Sequence, residues 1–120
     1  MFEARLQQGV ILKKIIDSLK DLVKTVNIDT NEGGISMQAM DSSHVALVSF
    51  QLKEYGFNSY RCERPMTLGI SIENLAKVLR CASNDDIITM QAEEDPTSIK
   101  FIFESNSKYL FIFFFYIIMA

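Results

Sequence analysis

ILKKIIDSLKDLVK, residues 11–24, places four lysines in a chain whose formal net charge is −3. On a helix turning about 100° per residue, Lys20 and Lys24 fall within about 20° of Lys13, and Lys14 lies about 100° away. Ile11, Leu12, Ile15, Ile16, Leu19, Leu22 and Val23 fill the opposite arc, from about 160° to about 300°. The spacing predicts an amphipathic helix with its apolar face turned inward and its lysines turned outward. Asp17 lies inside the lysine stripe, spaced to pair with Lys13 and Lys20. Taken alone, this pattern also fits a surface helix that carries charge only for solubility.

A second segment weakens the solubility reading. In RCERPMTLGISIENLAKVLR, residues 61–80, Ser71 is placed to cap a helix. Ile72, Leu75, Val78 and Leu79 then form an apolar stripe, and Lys77 and Arg80, three apart, share the outward side. The two segments hold eight of the twelve bases and four of the fifteen acids, which leaves four bases against eleven acids elsewhere. Positive charge is therefore gathered into two segments, each of which carries an amphipathic helix. Two such helices predict one basic surface, which would hold a polyanion through its phosphates without reading sequence.

The rest reads as strands. FEARL (2–6) and ISMQAM (35–40) alternate apolar and polar residues; 26–30, VALVSFQL (45–52), IITMQA (87–92) and SIKFIFE (98–104) are β-leaning. DTNEGG (29–34) and EEDPTS (93–98) read as hairpin turns, with a short link near 54–65. The order suggests a β-α-β-β-β unit used twice. The expected class is α+β, with two helices on one face of an antiparallel sheet.

A length of 120 residues suits one domain, and 48% hydrophobic against 22% charged residues is a globular composition. The N-terminus has no apolar signal region, and Cys62 and Cys81 lack metal spacing; two reduced thiols in an intracellular protein are expected. His44 is the only histidine, so no histidine-based triad or zinc site can be assembled around it. Glu93, Glu94 and Asp95 before Pro96 read as a solvated turn, and Gly33-Gly34 as a hairpin turn without a phosphate-loop pattern. No enzyme, cofactor or metal is expected.

MFEARLQQGVILKKIIDSLKDLV, GISMQAMDSSHVALVSFQL and GFNSYRCERPMTLGISIENLAKVLRCASNDDIITMQAE closely resemble the N-terminal domain of the eukaryotic DNA sliding clamps, from Met1 to about Glu104. The resemblance implies the DNA-clamp fold and a nuclear, non-catalytic protein of replication and repair. In that family a closed homotrimeric ring of two-domain subunits encircles duplex DNA, with helices lining the hole. It implies partners: double-stranded DNA, and replicative polymerase, clamp loader and repair factors that dock through short peptide motifs. Lys13, Lys14, Lys20, Lys77 and Arg80 match DNA-facing positions, and Arg61 and Arg64 open a segment described as DNA-binding. Met40, His44 and Val45 match part of the outer pocket that receives partner peptides.

The expected clamp domain is residues 1–104, followed by a non-family apolar tail at 105–120. Residues 109–120 are an unbroken apolar run, half of it aromatic. Twelve residues are short of the roughly 20 that span a bilayer as a helix, so a membrane anchor is the weakest reading. YLFIFFFYI has the makings of a last strand beside SIKFIFE. The composition break points to a truncated or mis-spliced reading frame. The alternative to a working clamp is then a fragment that cannot close a ring and keeps weak partner or DNA binding.

Overall fold

The computed structural model describes residues 1–93 and 98–105, and the backbone of 112–118. β1 (Phe2–Leu6) buries Phe2, Ala4 and Leu6, as its alternation dictates. α1 (Gly9–Leu19) buries Gly9, Leu12, Ile16 and Leu19. β2 (Thr25–Asn31) and β3 (Gly34–Met40) form the expected hairpin, in which the Gly33 N–H donates to Asn31 Oδ1 at 2.8 Å. Then come β4 (Leu47–Lys53), a 3-10 turn at Glu54–Gly56, β5 (Ser59–Cys62) and β6 (Met66–Ser71). α2 (Ile72–Leu79), β7 (Ile87–Ala92), β8 (Ser98–Glu104) and β9 (Ile112–Ile118) follow.

α2 begins as expected: the Asn74 N–H donates to Ser71 Oγ at 3.3 Å. Glu73 in its first turn and Lys77 in its last complement the helix dipole. α1 has no side-chain cap and no acid in its first turn. Its leading amide is satisfied from outside, because the Gly9 N–H donates to the Asp86 carbonyl at 3.2 Å. This approach requires glycine: a Cβ there would stand 2.5 Å from Ile88 Cγ1 and 2.7 Å from Asp86 O.

Two antiparallel sheets stand where one was expected. Their strand orders are β5-β1-β7-β8-β9 and β4-β3-β2-β6. The doubled β-α-β-β-β pattern explains the division. In each unit, the strand before the helix leaves its own sheet and pairs with the first strand after the helix of the other unit: β1 with β7, and β6 with β2. Periodicity reports which face of a strand is buried, not which strand it pairs with.

Both helices and the inner faces of both sheets contribute to one continuous core, including Phe2, Ile16, Met37, Ile72, Leu75, Leu79, Ile88, Phe101 and Phe103. β5 lies in the stretch expected to be a link. The 109–117 strand expected beside SIKFIFE is present in its 112–117 part: β9 pairs with β8 from Glu104↔Ile112 to Ser98↔Ile118. The remainder of the tail, and most of the 93–98 turn, lie outside the described residues.

Candidate nucleic-acid interface

Because Leu12, Ile16 and Leu19 of α1 and Leu75, Ala76 and Leu79 of α2 are buried, the opposite arcs of both helices face solvent. The helices pack side by side. A groove between them is walled by Lys13, Lys14, Asp17, Arg80 and Asn84 over an apolar floor that includes Ala76 and Leu79. Lys77, three residues before Arg80, continues the α2 side. The structure thus brings Lys13, Lys14, Lys20, Lys77 and Arg80 onto one helical layer.

These five bases are held differently. Lys13 is half-buried, and its Nζ donates to the Ala82 carbonyl at 2.7 Å, just past α2. Lys20 pairs with Asp17 at 2.8 Å, and Lys77 with Glu73 at 3.6 Å. Lys14 and Arg80 are exposed. The Lys20 ammonium, through its hydrogen bond and its charge, holds the Asp17 carboxyl below the usual range, and the charges of Arg80 and Lys13 add to this. Lys24 lies beyond α1, because the helix ends at Leu19 and the chain turns before β2.

Arg61 and Arg64 are placed apart from this layer. Arg61 stands opposite Glu3 on β1, on the face away from the core-facing Ala4↔Tyr60 pair. It is ion-paired with Glu63. Arg64 lies in the β5–β6 link, at the end of β6 remote from α2. The Cys62 thiol donates to its carbonyl at 3.0 Å. Their nearness in sequence to Lys77 and Arg80 is undone by β6, which runs about 20 Å between them.

Met40, His44 and Val45 gather on a second surface, at the end of the β3–β4 pair that residues 41–46 close. Asp41 organises it: Oδ1 accepts from the Val45 and Ala46 amides at 2.8 and 2.9 Å, and Oδ2 accepts from the Ser43 hydroxyl and amide. These hydrogen bonds, that from the Ser43 hydroxyl foremost, push the Asp41 carboxyl down to about 2. His44 sits at the crest with φ 59°. Met40 is 46% and Val45 83% exposed.

Two residues that the sequence did not single out join them. Leu47, 59% exposed, stands directly opposite Met40. Leu22 is exposed, and its carbonyl accepts from the Ser42 amide at 2.8 Å. Leu22 fits the helical period of 11–24, which hid it; only the end of α1 at Leu19 frees it.

Among the described residues, no group of three His, Cys, Asp or Glu side chains is placed to hold a metal. Cys62 and Cys81 are both free. No helix among them is long and apolar enough to cross a membrane.

The family profile described as "Proliferating cell nuclear antigen, N-terminal domain" matches residues 1–119. The chain is 54% identical over 106 residues to the proliferating cell nuclear antigen of Chaetomium thermophilum. That alignment covers 88% of this chain and 41% of the relative, so the chain spans about two-fifths of the length of the curated relative it matches.

Proposed function

Because this chain belongs to the proliferating cell nuclear antigen family, through that family's N-terminal domain, we propose that it serves as part of a DNA sliding clamp. In this reading the helical layer lines a ring around duplex DNA, and the clamp keeps a replicative polymerase on its template in the nucleus. The observation that carries the reading is that Lys14 and Arg80 wall the groove between two packed helices, with Lys20 and Lys77 continuing the same outer sides, in a chain of net negative charge.

The chemistry suits a contact that moves. Lysines on flexible stems meet phosphates as point charges and carry no base preference. The bidentate donors that specify a base are not needed for it. Lys13 contributes more to holding the helices than to reaching phosphate, since its ammonium is already committed to Ala82. The role is binding, not catalysis. The Met40, His44, Val45 and Leu47 surface is the docking place we assign to short peptide motifs of polymerase, clamp-loader and repair partners.

The test is duplex binding across a salt series, read by fluorescence anisotropy. Replacing Lys14, Lys77 and Arg80 by alanine, one at a time, should each flatten the log–log salt slope by up to about 0.9, while Lys20→Ala, at a lysine already paired with Asp17, should change it least. An unchanged slope in the Lys14, Lys77 and Arg80 variants would remove the helical layer from the interface. In the assembled ring, protein loaded on a nicked circle should be lost when the circle is linearised; retention would rule out encirclement.

A further inference from the structure

Asp17 is the only acid lining the groove between α1 and α2 among the described residues. Its Oδ1 accepts from Lys20 Nζ at 2.8 Å. Within the pair the acid is the solvent-facing member: the Asp17 side chain is 63% exposed and that of Lys20 only 29%. A polyanion approaching the helical layer therefore meets the carboxylate before the ammonium. The charges of Lys13 and Arg80 also act on Asp17, which places it amid the basic set and not at its margin.

An exposed pair three residues apart on a helix stabilises it little. On the outer side of this layer, however, a carboxylate does two things to a phosphate. It repels the phosphate, and it holds along the helix a lysine that would otherwise reach outward. Both effects weaken a contact built from counter-ion release, in which each engaged lysine steepens the salt slope. A contact that must move along DNA requires such restraint, because every added phosphate pairing has to break at each step.

We propose that Asp17 is a built-in counter-charge that keeps the grip of the basic helical layer on a polyanion weak, by restraining Lys20 and opposing phosphate at the groove. The inference rests on the duplex reading above and adds what sets the strength of that contact. Asp17 acts through Lys20 and is a positioning residue.

The experiment compares Asp17→Asn with Asp29→Asn. The second variant removes the same charge from the outer face of β2, where Asp29 accepts from Thr67 Oγ1. Each is measured against a labelled duplex over a salt series and by elution salt on a heparin column. Asp17→Asn should bind duplex about tenfold more tightly at low salt, with a slope steeper by about one phosphate contact. It should also elute later from heparin, while Asp29→Asn stays within about twofold of the parent and Asp17→Glu restores the parent's behaviour.

Equal gains in both variants would reduce the effect to net charge and overturn the proposal. Parental behaviour of Asp17→Asn, with duplex binding intact, would overturn the proposal alone. Later elution of Asp17→Asn from heparin without duplex binding by any variant would support the counter-charge and overturn the duplex reading. No duplex binding and no heparin shift would overturn both.

Discussion

The ammonium of Lys13 donates to the carbonyl of Ala82 across 2.7 Å, joining the outer side of α1 to the chain just past α2. The carbonyls at the end of α2 carry the negative end of its dipole, so a lysine is the residue type suited to that place. A charge-assisted hydrogen bond of this kind contributes about 1.5 kcal/mol, more than an exposed lysine contributes by charge alone. Lys13→Met should therefore lower the urea midpoint, while Lys14→Met should leave it unchanged. Equal midpoints for the two variants would refute the tie.

Gly9→Ala tests the docking of α1 on β7. The added methyl would meet both the Ile88 side chain and the Asp86 carbonyl, and the latter belongs to the backbone and cannot swing aside. Overpacking of this kind costs about 1–3 kcal/mol. The higher helix propensity of alanine offsets it by no more than about 1 kcal/mol. A net loss in the denaturation midpoint is expected; a gain would mean that α1 shifts freely against β7.

Most elements were legible because burial follows period. Phe2, Ala4 and Leu6 alternate inward, and Leu12, Ile16 and Leu19 recur inward on α1, as their spacing dictates. What was not legible lies where a long-range partner decides. Leu22 continues the apolar period of α1 yet is exposed, because the chain has already left the helix. Ser59–Cys62 is too short to announce a strand and forms one because β1 offers an edge. Arg61 and Arg64 read as neighbours of the α2 bases along the chain, and β6 carries them away. Nothing in the spacing of residues 41–46 marks Asp41, whose carboxylate shapes the Met40–Leu47 surface by accepting from Ser43, Val45 and Ala46.

Tyr60 ties the two sheets together. On β5, its hydroxyl donates to the Asn31 carbonyl at the end of β2 at 2.6 Å, while its ring packs edge-on to Phe2 at 5.8 Å. Tyr60→Phe keeps the ring and removes the hydrogen bond, so a loss of about 1 kcal/mol is expected in chemical denaturation. Burial is the main cause that pushes the hydroxyl up to about 12. Its folded value lies above the ordinary 10.0, so this contribution is fully present below pH 10 and is lost as pH rises through about 12. The phenolate difference spectrum between parent and Tyr60→Phe should rise near that pH. A rise near pH 10 would show that the ring is solvated.

Asp41 gives the last prediction, at the acid end. Its folded value of about 2 lies below the ordinary 3.8, so the contribution of its hydrogen bonds is present above about pH 4 and is lost as pH falls through about 2. The amide resonances of Val45 and Ala46, both bonded to Oδ1, should titrate together with a midpoint near the lower value. A midpoint near 3.8 would mean that the loop does not hold the carboxylate in solution. Asp41→Ala removes the acceptor from four donors and frees the segment that carries His44 and Val45. Ordering that segment would then be charged to partner binding, and a short partner peptide should bind about tenfold more weakly. The core lies elsewhere, so the variant should stay folded, with a denaturation midpoint lowered only by the loss of these hydrogen bonds. A variant that loses fold and peptide binding together would make Asp41 a residue of the fold and not of the docking surface.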